Sequence, residues 1–222
     1  SDVCSSDLAL LLCSYEAAQR AGVAEDRMVF LHSAAEAHDH WNVTERASLT
    51  RSPAIAAVGR DTLGGAGLGI DDIAHFDLYS CFPAAVQIGR RELGIAADDP
   101  RPLTVTGGLG FAGGPVNNYV THSIARMVEA LRSDPGSYGL TTALGWYVTK
   151  HAAAVWSTRP PARPLSVAHP QAEVDALPRR TVAGLIDGDA TVEATAVAFE
   201  RDGEPSLAIL SLVLDEIGRA HV

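Results

Sequence analysis

A glycine-rich segment in the middle of the chain has the composition of a loop that holds a phosphate or a developing oxyanion. A β-branched run at 103–106 precedes five glycines within residues 107–114, and Asn117 follows them. Glycine permits positive φ and lets a second molecule approach the backbone closely. Apolar residues then recur at helical spacing from Val120 to Leu131. The pattern predicts a strand, a loop whose N–H groups can face an anion, and a helix that Asn117 caps.

A dinucleotide is not the expected ligand of this loop, although Gly108, Gly110 and Gly113 have the spacing of the dinucleotide-binding fingerprint. That fingerprint needs an acidic residue at the end of the next strand, where it holds a ribose. The next predicted strand, at 138–144, contains neither Asp nor Glu. A tight turn that binds nothing is the alternative to an anion-binding loop.

Two further segments carry groups that can transfer protons. Tyr79 and Cys81 lie between a predicted strand at 75–80 and a predicted helix at 82–93, where the helix dipole is expected to favour the thiolate of Cys81. Lys150 is the only lysine among 17 basic residues, and His151 follows it. The alternatives are a small buried apolar role for Cys81, chance for Lys150, and a sheet-covering role for His151.

Together these segments resemble the active-site loops of the thiolase superfamily. Residues 107–115 resemble its Gly-Gly-x4-Gly-His-Pro loop, with Gly114 in place of the histidine. Residues 79–82 resemble the His-Asp-Cys-Phe loop of the sterol-carrier-type branch, with Tyr79 in place of the histidine. Residues 143–145 correspond to the Cys-x-Gly loop, with Ala143 in place of the cysteine. The order of elements over about 9–157 is similar to the C-terminal half of a thiolase.

The resemblance implies a CoA thioester as substrate and no cofactor. It implies Cys81 as acid/base and Tyr79 as proton donor, with His151 as a third candidate catalytic residue. The expected substrate-binding residues are Gly113, Gly114, Asn117, Gly145 and Lys150. Because Gly114 has no side chain to orient an attacking group, we expect weak thiolytic activity.

The first functional hypothesis is a fragment of an acyl-CoA acyltransferase of the acetyl-CoA acetyltransferase type, inactive without its N-terminal half and its nucleophilic cysteine. The resemblance implies a homodimer for the full-length protein. The second hypothesis is a lyase that cleaves CoA thioesters by a retro-aldol reaction, using tyrosines and a separate OB-fold partner protein. The third is a non-catalytic thiolase-like subunit that binds CoA or a partner protein.

The composition narrows the class of protein. The chain has 222 residues, 47% hydrophobic content and a net charge of −10, which is typical of a soluble globular protein. An acidic chain without a basic stripe is not expected to bind nucleic acid, and no apolar run reaches the ~18 residues of a membrane span. Cys13 and Cys81 form no disulfide framework, which favours the cytoplasm. His32, His38 and His40 lack the spacing of a metal site and are expected in a solvated loop.

The pattern of elements predicts an α/β fold followed by an all-β module. Strands and helices alternate over 9–158, which predicts a layered, thiolase-like α/β half-domain with a mixed sheet. A proline-rich linker follows at 159–164. Strands at 182–186, 191–200 and 206–215, joined by Asp-Gly turns, predict a small OB-like module over 165–215. Residues 1–8 and 216–222 resemble a translated sequencing adapter, so we expect both ends to be non-native.

Overall fold

The computed structural model describes residues 8–114, 117–184, 187–214 and 218–221. Contacts divide the chain into two units, the first made of residues 8–39 and 50–174, the second of residues 40–49 and the chain from 175 onward. Several sequence predictions lie outside the described residues: most of both adapter-like ends, Pro115 of the glycine loop, and the end of the strand predicted at 182–186.

The first unit is built on a five-stranded mixed sheet, as the sequence predicts. Its strands lie in the order β2-β3-β4-β1-β5. β4 runs antiparallel to both of its neighbours, whereas β2 pairs with β3, and β1 with β5, in parallel. The strands are β1 Phe30–His38, β2 Ile73–Asp77, β3 Tyr138–Gly145, β4 Lys150–Ser157 and β5 Ser166–Ala168.

The carboxyl ends of β1, β2 and β3 meet at one edge of this sheet. β1 and β3 both run antiparallel to β4, so they point the same way, and β2 is parallel to β3. The start of β4 lies at the same edge because Lys150 pairs with Gly145. We call this the C-terminal edge; it carries residue 39 after β1, residues 78–82 after β2 and residues 146–149 between β3 and β4.

The described residues form six α-helices. The sequence predicts a helix that begins with Ser52 as its cap and Pro53 as its first residue and that ends at Gly64 and Gly65. This helix begins as expected, because the Ser52 hydroxyl accepts the N–H of Ile55 and Pro53 is the first helical residue. It ends at Gly67, whose φ of +73° suits glycine, and not at Gly64 or Gly65. The helices are α1 Tyr15–Arg20, α2 Pro53–Ala66, α3 Pro83–Glu92, α4 Leu109–Ala112, α5 Tyr119–Ser133 and α6 Gln171–Asp175.

The core lies between α2 and the central strands. Phe76, Leu140 and Val155 from the sheet are fully buried, as is Val58 from α2. Burying each such side chain contributes about 1.5–3 kcal/mol. A second, smaller cluster holds Met127 of α5 against the sheet, where a Cβ on Gly139 would come within 2.2 Å of its sulfur. The core therefore sets the position of the C-terminal edge from both faces of the sheet.

Several predicted elements differ from the structure. Residues 103–106 form no strand, because the N–H groups of Val105 and Thr106 donate to the carboxylate of Asp77 and not to a neighbouring strand. The glycine segment contains the short helix α4, and α5 begins at Tyr119 after Asn118, so Asn117 is not its cap. The polar, histidine-rich stretch 34–50 predicts a loop, but residues 34–38 continue β1. Residues 9–14 begin with a short apolar run that predicts a strand, and they form none.

The second unit contains a small four-stranded sheet in the order β6-β9-β8-β7. β7 and β8 form the predicted hairpin, and Gly203 in its turn has a φ of +91°. Ser166–Ala168, which the sequence analysis assigns to the C-terminal module, forms β5 of the first sheet. The strands are β6 Val182–Ala183, β7 Thr191–Phe199, β8 Pro205–Leu214 and β9 Gly218–His221. In the described ranges no helix has the length and apolar character to cross a membrane.

Candidate active site

The segment at 79–82 is fixed to the C-terminal edge through β3. The backbone N–H of Tyr79 donates to the hydroxyl of Thr142 at 2.8 Å. α3 begins directly after this segment, with Pro83 at its first position. Tyr79 and Cys81 therefore lie at the end of β2 and before a helix, as the sequence predicts.

The glycine loop is joined to the same segment by one hydroxyl. The N–H of Leu109 donates to Ser80 Oγ at 3.0 Å. Gly108 has a φ of +86°, and a Cβ at that position would lie 2.9 Å from the same oxygen. Glycine is therefore required at 108 for both its backbone angle and the closeness of the two loops.

A buried carboxylate anchors the start of the glycine loop. Asp77 Oδ1 accepts from the hydroxyl and N–H of Thr106 at 2.8 and 3.2 Å, while its Oδ2 accepts from the Tyr119 hydroxyl at 3.0 Å. Burial raises the pKa of Tyr119 to about 12, and Asp77 adds to this rise, whereas hydrogen bonds with Thr106 and Ser80 oppose it. The Tyr119 ring also packs edge-on against Tyr79, with centroids 5.2 Å apart. Asp77 thus ties β2, the glycine loop and α5 together.

A narrow cavity of about 20 Å³ lies between the C-terminal edge of the sheet and the helices α2 and α3. Tyr79, Thr142 and His151 are the polar residues of its lining, and α2 and α3 contribute apolar side chains. The structure therefore brings together two of the predicted catalytic residues, beside Ala143 at the position of the missing cysteine. The full lining is Ile55, Val58, Leu78, Tyr79, Ala85, Gly89, Leu93, Thr142, Ala143, Leu144, His151, Ala152 and Ala153.

His151 belongs to a buried polar group that the sequence analysis does not predict. Its Nε2 lies 3.3 Å from both Ser52 Oγ and Asp39 Oδ2. The Ser52 hydroxyl donates to Asp39 Oδ2 at 2.5 Å, and Asp39 Oδ1 accepts the N–H of Ala54 at 3.1 Å. His151, Asp39 and Ser52 are 5%, 3% and 0% exposed, so water contributes little to this group.

The charge of Asp39 is stabilised by its partners. Burial by itself raises the pKa of Asp39, but the hydrogen bonds from His151, Ser52 and the Ala54 N–H outweigh it, and the net pKa is lowered. Asp39 is therefore an ionised carboxylate at neutral pH. Its own N–H donates to the Thr149 carbonyl at 2.8 Å, which joins the end of β1 to the start of β4.

The expectation of a thiolate at Cys81 is wrong. Burial raises the pKa of the half-buried Cys81 thiol, and the N–H groups of Phe82 and Cys81 offset only part of that rise. Burial, with a smaller contribution from Cys81, also raises the pKa of Tyr79. The helix N-terminus is thus the weaker influence, and both side chains are proton donors at neutral pH.

The remaining predicted site residues lie outside the cavity lining. Gly113, Gly114 and Asn117 are exposed on the glycine loop and just after it. Gly145 and Lys150 pair across the β3–β4 hairpin, where a Cβ on Gly145 would lie 2.9 Å from Lys150 Cε. Lys150 is exposed. Within the described ranges no group of His, Cys, Asp and Glu can hold a metal ion, and His32 is buried in β1, not in a solvated loop.

The hairpin tip beside the cavity is strained. Trp146 and Val148 have φ values of +61° and +51°, which residues other than glycine rarely adopt. The Trp146 ring is 67% exposed and packs edge-on against Tyr147 at 5.5 Å. Backbone strain of this kind is concentrated at functional sites, which agrees with an active site at the C-terminal edge.

Sequence reasoning missed the residues that position the candidate catalytic groups. Ser52 is recognised from the sequence only as a helix cap, and Asp39 lies in a stretch that the sequence analysis interprets as loop. Asp77 and Tyr119 give no local signal, since their contact joins residues 42 positions apart. The one usable signal is the pair Ser52–Pro53, which correctly places the helix start beside the site.

Comparisons with known proteins find similarity to solved structures only. The sequence matches no protein-family model and no curated protein. Among solved structures, the chain is similar to a monomeric SCP2-thiolase-like protein type 1 from Mycobacterium smegmatis. The identity is 37%, the TM-score is 0.83, and the match covers 94% of this chain and 46% of that protein. Human mitochondrial 3-ketoacyl-CoA thiolase matches at 16% identity and a TM-score of 0.49, over 67% of this chain and 34% of its own.

The chain thus spans about half the length of the SCP2-thiolase-like protein that it matches. Its mixed α/β unit and its small β module are both included in that match, which covers 94% of the chain. The chain therefore has a thiolase-like fold over the part of the SCP2-thiolase-like protein that it matches.

Proposed function

We propose that this chain is the C-terminal part of a thiolase-like protein that binds acyl-CoA thioesters at the C-terminal edge and acts as an acyl-CoA acyltransferase. The observation that carries the proposal is that Tyr79 and His151 line the same small cavity at the C-terminal edge. A base, a proton donor and backbone N–H groups are what carbon–carbon bond formation next to a thioester requires.

The proposed chemistry begins with removal of a proton from the carbon next to the thioester carbonyl. His151 takes that proton, and the electron pair of the C–H bond forms an enolate. The enolate carbon then attacks the carbonyl of a second acyl group, and the carbon–sulfur bond of that group breaks. Tyr79 or Cys81, both held in the protonated form by burial, supplies a proton to the departing sulfur.

Thiolysis is expected to be slow in this protein. The loop position that resembles the thiolase histidine is Gly114, and a Cβ there would lie 3.1 Å from the Leu109 side chain. An imidazole at this position therefore needs Leu109 to move. Without it, the attacking thiol has no orienting base on this loop, which costs on the order of 10²-fold in rate.

A retro-aldol lyase is the second candidate, and the contact between Tyr79 and Tyr119 favours it. In such a reaction a base takes the proton of a β-hydroxyl group, the neighbouring carbon–carbon bond breaks, and the resulting enolate carbon takes a proton. Burial raises the pKa of both tyrosines, so each is a proton donor. The homodimer that the resemblance implies stays a prediction, since the matching SCP2-thiolase-like protein is monomeric.

The test uses the protein encoded by the complete gene. Acetyl-CoA in D₂O is followed by proton NMR for exchange at the methyl group, and acyl transfer to a second acyl-CoA is followed in parallel. We expect exchange that falls by on the order of 10²-fold in His151→Gln. His75→Gln is the matched control, because His75 pairs with Asp134 and does not line the cavity.

The outcomes separate the hypotheses. Exchange with acyl transfer supports the acyltransferase. Exchange without transfer, together with cleavage of a β-hydroxyacyl-CoA, supports the lyase. Saturable acyl-CoA binding with neither reaction supports a non-catalytic subunit, and the absence of binding to several acyl-CoA thioesters would overturn the proposal as a whole.

A further inference from the structure

We infer that Asp39 and Ser52 are positioning residues that hold the proton of neutral His151 on Nε2, so that Nδ1 is left as the proton acceptor of the site. The role of Nδ1 in a reaction rests on the proposed function. The position of the proton does not, because it follows from the hydrogen bonds of the three side chains.

The hydrogen-bond inventory of Ser52 gives the first argument. A serine hydroxyl has one proton to donate and two lone pairs that accept. The proton is used on Asp39 Oδ2 at 2.5 Å, and one lone pair accepts the N–H of Ile55 at 3.2 Å. Only a lone pair remains for Nε2 of His151, 3.3 Å away. Nε2 must therefore be the donor in that contact.

The carboxylate of Asp39 gives the second argument. An ionised carboxylate accepts hydrogen bonds and donates none, and Oδ2 lies 3.3 Å from the same Nε2. Both neighbours of Nε2 are thus acceptors that face one nitrogen. A proton on Nε2 satisfies both of them, whereas a lone pair on Nε2 would face two acceptor oxygens in a site shielded from water. The second arrangement leaves buried polar groups unpaired, which is costly.

The other ring nitrogen is available for chemistry. No described residue forms a hydrogen bond to Nδ1 of His151, and the side chain lines the cavity beside Tyr79. In the Nε2-protonated tautomer Nδ1 carries the lone pair. The neutral ring therefore has Nδ1 as its basic nitrogen toward the cavity, while its proton stays on Nε2, next to Asp39 and Ser52.

The same geometry excludes Ser52 as an activated nucleophile. In Ser-His-Asp catalysis the hydroxyl and the carboxylate bind different ring nitrogens, and the hydroxyl donates to the imidazole. Here both oxygens face Nε2, and the hydroxyl donates to Asp39. Ser52 is also fully buried. The group consequently orients a histidine and does not form a covalent intermediate on serine.

The test measures the tautomer directly in the 222-residue chain. Long-range ¹H–¹⁵N spectra of histidine-labelled protein distinguish the two ring nitrogens, and His151→Gln identifies the His151 signals by their loss. The spectra are recorded about two pH units above the measured titration midpoint of the ring, where it is neutral. We expect the Nε2-protonated form alone. A His151 ring protonated on Nδ1 would overturn the inference without any variant being needed.

Two variants sharpen the result. Asp39→Asn places an amide that can donate to Nε2, and the Nδ1-protonated form should then become detectable. Asp134→Asn is the matched control, because Asp134 pairs with His75 on the surface and should leave the His151 spectrum unchanged. An unchanged tautomer in a folded Asp39→Asn chain would also overturn the inference.

Activity is measured separately in the complete protein. Asp39→Asn should lower the rate of α-proton exchange by on the order of 10²-fold while acyl-CoA binding stays unchanged. If the parent binds acyl-CoA but shows no exchange, the proposed acyltransferase and lyase both fail, and the tautomer measurement still decides the inference about Asp39 and Ser52. If exchange occurs and Asp39→Asn leaves its rate unchanged, the positioning role fails.

Discussion

The hydroxyl of Tyr119 lies 3.0 Å from Oδ2 of Asp77, and this contact joins the first residue of α5 to the last residue of β2. Both side chains are buried. The glycine loop begins between them in space, because Thr106 contacts both the carboxylate and the phenol at 2.8 Å. The position of the loop therefore depends on a polar cluster and not on strand pairing.

Removing the Tyr119 hydroxyl should destabilise the chain. Tyr119→Phe leaves a buried carboxylate oxygen without its donor, which costs about 1–3 kcal/mol. Urea unfolding followed by tryptophan fluorescence measures the change. Tyr147→Phe, at an exposed position, is the control and should change the free energy of unfolding by less than about 0.5 kcal/mol. Equal effects of the two substitutions would contradict the role given to the Asp77 contact.

Alanine at two glycines of the same loop should have opposite effects. Gly108→Ala introduces a Cβ 2.9 Å from Ser80 Oγ at a φ of +86°, so we expect a loss of at least about 1 kcal/mol. Gly110 lies within α4 with open space around its Cα, and Gly110→Ala should be neutral or stabilising by about 0.5–1 kcal/mol. Thermal unfolding of both variants checks the order, and a Gly110→Ala chain less stable than Gly108→Ala would refute it.

Alkylation of Cys81 should require alkaline pH. Burial raises the pKa of this thiol, and only the thiolate reacts. In a chain carrying Cys4→Ser and Cys13→Ser, the rate of reaction with iodoacetamide should have a higher midpoint in the folded protein than in the same protein in urea. A lower pH midpoint of alkylation in the folded protein would contradict this prediction and support the activated thiolate that the sequence predicts.

Acid should weaken the fold partly through Asp39. Although burial opposes them, hydrogen bonds from His151, Ser52 and the Ala54 N–H lower the pKa of Asp39 in the folded state. The group thus contributes stability that is fully present above the unfolded pKa and is lost as pH falls through the folded pKa. Asp39→Asn should flatten the dependence of unfolding free energy on pH below about 5. Asp98→Asn, at an exposed position, serves as the control. Identical slopes of unfolding free energy against pH in the parent and in both variants would show that Asp39 does not contribute to the acid sensitivity of the fold.

Much of the fold follows from local patterns. The helix that starts at Ser52–Pro53 and the hairpin of β7 and β8 are predicted by cap and turn residues that act within a few positions. The strand predicted at 103–106 fails for a non-local reason: its N–H groups are taken by Asp77, 28 and 29 positions earlier. Tyr79 and His151, which are candidates because of the resemblance to thiolase loops, line one cavity in the structure. The resemblance does not predict the roles of Asp39 and Ser52, because these roles depend on contacts that form only when β1, α2 and β4 pack together.

The single hydroxyl of Ser80 has a consequence for how the site responds to occupancy. Since the N–H of Leu109 donates to Ser80 Oγ, a hydrogen bond connects the glycine loop to the segment that carries Tyr79 and Cys81. A displacement of either loop by an incoming molecule is transmitted to the other, and through Tyr79 to the wall of the cavity. Resonances of Leu109 would therefore report events at Tyr79, and Ser80→Ala should weaken this coupling, while the contacts of Asp77 with Thr106 remain.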